Sequence, residues 1–222
     1  MFDEDGFVIK KNFLTEKEIN SIRFLTSNYE YPYSEIKSLK FSHVDFDFQK
    51  KFMDVGKGIR GKNLNIYMRK VYHKNAFVGA HEGFHQDFFY KQYHGLDNKN
   101  FLQCFVALDN LYYTPLNVFK GSHKLGLQDH VKVLERDGNA KFIISPKTLA
   151  FLENEFLALK LEKGDAIFFD YLLIHGSGSN PSPFNQKRMV VELASENLNI
   201  KTHGFDRKEF EKQVLSNMLS TK

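Results

Sequence analysis

Apolar positions along this chain switch between two periods. Near the N-terminus, Gly6-Phe7-Val8-Ile9 reads as a short strand, and the residues after it take helical spacing. Thr15 and Glu18 form a capping box, flanked by Leu14 and Ile19 as a hydrophobic staple, which predicts a helix starting at about residue 16. Asp206 and Glu209, with Phe205 and Phe210, repeat that signal near the other end. Phe210, Val214, Leu215, Met218 and Leu219 then make one apolar stripe, read as the packing face of a second helix. The middle differs. Residues 64–69 alternate, and 102–109, 141–144, 166–175 and 188–194 are apolar runs of strand length between Gly, Asn and Pro turns. Short strands in this arrangement predict a mainly β fold, a sandwich or barrel of two sheets, with helices at the N- and C-terminal ends packed outside it. No repeat, low-complexity tract or linker divides the sequence, so a single domain is expected over residues 1–222.

Composition changes this picture little. Aromatic residues reach 15%, from 23 Phe and 10 Tyr without Trp, enough ring surface for a tightly packed core and an aromatic-lined pocket. The net charge of +4 suits an anionic small substrate, and no dense Lys/Arg stripe calls for nucleic acid. The one cysteine, Cys104, lies in an apolar run and reads as a small buried hydrophobe; no disulfide can form within the chain. The acidic N-terminus lacks a signal-peptide core, and no run reaches the roughly 18 apolar residues of a membrane span. A cytoplasmic protein without a membrane partner is expected, and its oligomeric state is unreadable.

Two metal motifs overlap in residues 81–87. His81-Glu82-Gly83-Phe84-His85 spells H-E-x-x-H, a zinc-hydrolase pattern that requires a helix to bring both imidazoles to one face. Gly79 and Gly83 would sit inside that helix at about 1 kcal/mol each, and the neighbouring apolar residues form no helical stripe. His85-Gln86-Asp87 spells H-x-D, two of the three ligands of a facial iron triad. His175, where a buried run opens into the turn sequence 176–185, is the candidate third ligand. Arg188 follows at the next strand start, where a bidentate guanidinium can hold a dicarboxylate. Phe88, Phe89, Tyr90 and Tyr93 either line a substrate pocket or pack the core. His81, His94 and His123 read as surface or supporting residues, and Lys120 and Lys124 as weak attractors of an anion.

The order of segments resembles the phytanoyl-CoA dioxygenase-like family of Fe(II)/2-oxoglutarate oxygenases. The resemblance runs through GFVIKKNFLTEKEI, HQD, FVALDN, PLNVFKGSHKLG and LEKGDAIFFDYLLIHGSGSN to Arg188, covering most of residues 5–195. It implies a double-stranded β-helix, a jelly-roll of the cupin type, with Fe(II) bound by His85, Asp87 and His175. It also implies 2-oxoglutarate and O2 as cosubstrates, Arg188 on the distal carboxylate supported by Ser177, and Phe105 beside the cosubstrate. Arg188 stands further from His175 than is commonest, which leaves Lys187 or Gln186 as sharers of its role. Lys120 replaces the usual Pro before GSH. Halogenating relatives carry a small residue in place of the carboxylate, so Asp87 points to hydroxylation of a small molecule. The other functions weighed are an oxygenase of the same fold acting on a protein or nucleic acid, a binding module on a degenerate site, and a zinc hydrolase.

Overall fold

The computed structural model describes residues 1–26, 37–40, 48–78, 81–91, 96–134, 140–152, 156–196 and 198. Its strands are β1 (Phe7–Lys10), β2 (Lys37–Lys40), β3 (Leu64–Lys74), β4 (Glu82–His85), β5 (Phe101–Ala107), β6 (Leu116–Val118), β7 (His130–Leu134), β8 (Ala140–Ile144), β9 (Leu157–Leu159), β10 (Ala166–Phe169), β11 (His175–Ser177) and β12 (Gln186–Ser195). Helices are α1 (Phe2–Asp5), α2 (Glu16–Thr26), α3 (Gln49–Arg60) and α4 (Pro146–Ala150). A six-stranded antiparallel sheet runs β1-β10-β5-β12-β3-β2, and a four-stranded one runs β4-β11-β6-β9. Strands β7 and β8 form a separate hairpin. This is the expected two-sheet jelly-roll.

Strands β5, β10 and β12 of the large sheet are buried on both faces, and that is why they read as continuous runs rather than alternations. Leu102, Cys104, Val106, Phe168, Met189, Val191 and Leu193 turn outward onto Ile19 and Ile22 of α2 and Phe52 of α3. Their strand neighbours Phe105, Ala107, Ile167, Phe169 and Val190 turn inward and meet Leu116, Val118 and Leu159 of the small sheet. Cys104 therefore sits on the helix-facing side, and burial pushes its thiol up.

The capping box starts α2 as expected. Glu18 accepts from the Thr15 backbone N–H at 2.7 Å, and Thr15 Oγ1 accepts from the Glu18 N–H at 3.3 Å. Leu14 and Ile19 are both buried. The second expected helix, over residues 206–219, lies outside the described residues. A different helix, α3, was not foreseen, because its few apolar residues are interrupted by glycines. Gly56 serves close packing: a Cβ there would stand 3.1 Å from Leu64 Cδ1. Phe52 makes the anchoring contact, edge-on to Phe13 at 4.9 Å.

The apolar run 166–175 is not one strand. It divides into β10 of the large sheet and β11 of the small one, with a turn between them set by Asp170. That carboxylate accepts from the Leu172 N–H at 2.8 Å, from Asn98 at 2.9 Å and from Arg60 at 2.9 Å, and the Asp170 carbonyl accepts from the Leu173 N–H at 2.9 Å. The turn carries the chain from one sheet to the other just before His175. There Gly176 lets β11 lie close against β4, since a Cβ would stand 2.8 Å from the Glu82 carbonyl oxygen. Among the described residues, no helix is long and apolar enough to cross a membrane. Gly176→Ala is expected to lower folding stability by about 1–3 kcal/mol through backbone overpacking, measured as a lower midpoint in urea at unchanged slope.

Candidate active site

His85 ends β4, Asp87 opens the short 3-10 turn after it, and His175 begins β11. His85 and His175 are direct partners across the β4–β11 ladder, so their rings stand 4.3 Å apart on the cavity side. Each ring is oriented from behind: His85 Nδ1 donates to the Gly83 carbonyl at 2.8 Å and His175 Nδ1 to that of Leu173 at 2.9 Å. Both Nε2 lone pairs are thereby presented to the cavity, the arrangement metal-binding histidines require. Asp87 approaches both, with Oδ1 3.6 Å from His85 Nε2 and Oδ2 3.7 Å from His175 Nε2. The ligand atoms of all three lie within 4.8 Å of one another, a group that could hold one metal ion. Two imidazoles and one carboxylate on one side fit a facial iron site.

The electrostatics of His175 and Asp87 suit that use. Burial pushes His175 down to about 4, helped by the neighbouring His85, so its ring stays neutral. Burial alone would raise the Asp87 carboxyl, but His175, His85 and Lys70 hold it well below the usual range. Burial also opposes protonation of His85, and the adjacent Asp87 carboxylate overrides it, moving that ring upward. Gln103 Nε2 donates to Asp87 Oδ2 at 2.9 Å and fixes the carboxylate's rotation. Sequence reasoning missed Gln103; its signal was a polar residue interrupting the apolar stretch 102–108.

The zinc alternative fails on local structure. Residues 82–85 are a strand, which separates residues four apart by about 13 Å instead of stacking them on one face. His81 is exposed. Glu82 nevertheless belongs to the site's surroundings. It lines the same cavity and accepts from Lys141 Nζ of β8 at 3.0 Å.

The cavity, about 120 Å³, extends from the triad past Phe105, Phe169, Leu116 and Val190 to a cationic end. Arg188 is buried there, with its guanidinium carbon 5.3 Å from the Phe105 ring centre. Its Nη1 donates to Ser177 Oγ at 3.4 Å and its Nη2 to Thr114 Oγ1 at 3.2 Å, while its Nε has no partner among the described residues. Burial lowers it only to about 10, so it keeps its charge. Lys74, at the end of β3, donates to Ser177 Oγ at 2.9 Å. Burial and the nearby Arg188 push Lys74 down to about 7. Arg188, Ser177 and Phe105 are thus brought together as expected. Lys74 and Thr114 were missed, because nothing in their local sequence marks them.

Gln186 and Lys187 do not share the position of Arg188. Gln186 is bound to Thr114 and to the Asn110 carbonyl at 2.7 Å, while Lys187 alternates to the other face, its N–H donating to Asp109 at 2.8 Å. Phe88, Phe89 and Tyr90 pack in side clusters and are absent from the cavity lining. Lys120 pairs with Asp5 at 3.1 Å and His123 reaches the Asp3 carbonyl at 3.2 Å, so neither serves the cavity; Lys124 is exposed. Tyr93 and His94 lie outside the described residues.

Comparison with known proteins agrees with this geometry. The ectoine dioxygenase of Nocardia farcinica is 23% identical over 230 residues, covering 87% of this chain and 76% of that protein. EctD from S. alaskensis, solved with 2-oxoglutarate and 5-hydroxyectoine, superposes with a TM-score of 0.66 at 20% identity, over 87% of this chain and 73% of that one. EvdO2 from Micromonospora carbonacea var. aurantiaca, complexed with 2-oxoglutarate, superposes at 0.70 with 16% identity, over 87% and 88%. These likenesses establish the fold. A family model described as Phytanoyl-CoA dioxygenase (PhyH) matches residues 27–190, most of the chain and both halves of the site. The chain therefore belongs to the phytanoyl-CoA dioxygenase (PhyH) family of non-haem iron, 2-oxoglutarate-dependent oxygenases.

Proposed function

We propose that this protein hydroxylates a small molecule, with residues 1–222 acting as one oxygenase domain. Fe(II) would be held by His85, Asp87 and His175, and 2-oxoglutarate by Arg188 with Ser177. One observation carries the reading. A His/Asp/His set with both Nε2 atoms presented shares a cavity with a buried Arg188 whose Nε has no partner among the described residues. When bound, iron with 2-oxoglutarate and O2 supplies the oxidation, releasing succinate and carbon dioxide.

The chain's own residues position and protect. Gly83 and Leu173 carbonyls aim the two imidazoles, and Gln103 holds Asp87 in one rotamer. Arg188, Ser177 and Thr114 offer a bidentate, charge-assisted seat for the distal carboxylate, with Lys74 adding a second cation. Phe105 beneath the guanidinium and Leu116, Phe169 and Val190 around it exclude water, which strengthens each polar contact. The intact Asp87 favours hydroxylation over halogen transfer. The small recessed cavity and the lack of a basic stripe favour a small molecule over a protein or nucleic acid.

In an anaerobic titration, Fe(II) and 2-oxoglutarate together should give a charge-transfer absorption band with the native chain. Asp87→Ala should lose the band and succinate release, whereas His81→Ala should keep both. Arg188→Ala should raise the 2-oxoglutarate concentration needed for half-saturation by at least about 30-fold, read from succinate release. Lys74 carries its proton below about 7 and sheds it above, while the cosubstrate stays fully ionised. Affinity for 2-oxoglutarate should therefore fall as pH rises from about 6 to about 8.5, and Lys74→Met should flatten that dependence.

A further inference from the structure

The H-x-D motif leaves its middle position free, yet in this chain that residue is the most heavily tied of the three. His85 and Asp87 face the cavity, so the extended Gln86 (φ −121°, ψ 125°) faces the protein body, fully buried. Its Nε2 donates to the Leu172 carbonyl at 2.6 Å and to the Gly126 carbonyl at 2.9 Å. Its Oε1 accepts from the Gln128 N–H at 2.8 Å. Its backbone N–H donates to His130 Nε2 at 3.2 Å, and its carbonyl accepts from the Phe89 N–H at 3.1 Å, closing the turn that carries Asp87. His130 is itself fixed, donating from Nδ1 to the Gln128 carbonyl at 2.8 Å and stacking on Phe89 at 4.2 Å.

One of these partners belongs to the machinery around His175, and a neighbouring backbone bond ties the same two turns. Leu172 immediately precedes Leu173, whose carbonyl orients His175. The Phe88 N–H, in the same short turn as Asp87, donates to the Tyr171 carbonyl at 2.9 Å. The strand pairing alone is a weak tie between the two ligand segments: β11 is three residues long, and its register with β4 shifts between His175 and Ser177. A ladder that short leaves the separation of Asp87 and His175 underdetermined.

We propose that Gln86 is a positioning residue for the metal site: its carboxamide clamps the turn bearing Asp87 to the turn that delivers His175. The inference rests on the reading of His85, Asp87 and His175 as metal ligands. An apolar residue at 86 would keep the volume but leave the half-buried Leu172 and Gly126 carbonyls and the Gln128 N–H without this partner.

The test compares Co(II) binding by calorimetry, and the Co(II) d–d spectrum, in the full chain. The variants are Gln86→Leu, Gln86→Met, His175→Ala and Val191→Ala, the last removing packing from the helix-facing side of the large sheet. Both Gln86 variants should bind Co(II) about 10–100-fold more weakly, with a changed d–d spectrum, the loss usual when a residue supporting metal ligands is removed. Val191→Ala, at comparable loss of thermal stability, should bind as the native chain does. Affinity within about two-fold and an unchanged spectrum in Gln86→Leu would overturn the proposal, as would equal weakening in Val191→Ala. If the apolar variants fail to fold, Gln86→Asn makes the same comparison, since its shorter arm cannot span the three partners. His175→Ala separates the two ideas. Native-like binding there defeats the ligand assignment; with that binding lost, an unaffected Gln86 variant defeats only the clamp.

Discussion

His85 and His175 stand directly opposite one another across the β4–β11 ladder, and the site exists only while that register holds. A slip by one residue would turn one imidazole out of the cavity, because side chains alternate between faces along a strand. Several local features serve this one pairing. Gly176 permits the close approach of the two backbones, Asp170 builds the turn that carries the chain from the large sheet to the small one, and two carbonyls aim the rings.

The inner wall of the large sheet carries buried charge at two places, satisfied to different degrees. Opposite Gln103, Glu192 accepts from Tyr67, from Tyr171 at 3.1 Å and from Lys70, with Lys91 at 3.6 Å. Burial would raise that carboxyl, but Lys70 and Lys91 bring it down to about 2. This network is paired within the protein, which is how buried charge is tolerated in a structural role. At the other end of the wall, Arg188 and Lys74 share the Ser177 hydroxyl as an acceptor, and the Arg188 Nε has no partner among the described residues. The contrast supports the proposal that the second cluster seats an anion, while the first is paired within the protein.

Much of this was legible along the chain, for identifiable reasons. The capping box and staple at 14–19 act through neighbours in sequence, so α2 could be read directly. Strand-length apolar runs marked β5, β10 and β12, although their lack of alternation reflects burial on both faces rather than a property of each strand. α3 escaped because its helical character rests on packing Phe52 and Gly56 against the sheet. The run 166–175 reads as one strand in sequence because Asp170, besides its local bond to the Leu172 N–H, is held in its turn by Asn98 and Arg60, both distant along the chain.

The sequence by itself determined a candidate donor set. His85, Asp87, His175 and Arg188 stand out by residue type and order, and the family resemblance of the segments around them implies iron and a dicarboxylate as what they would bind. Only the tertiary structure decided which of their neighbours matter. Lys74, Thr114 and Gln103 approach the site from three separate segments, and Gln86 acts backward, into the core, through carbonyls of residues far along the chain. Ligand identity is carried by side-chain chemistry, which is local; ligand orientation is carried by hydrogen bonds across strands, which exist only once the two sheets have closed.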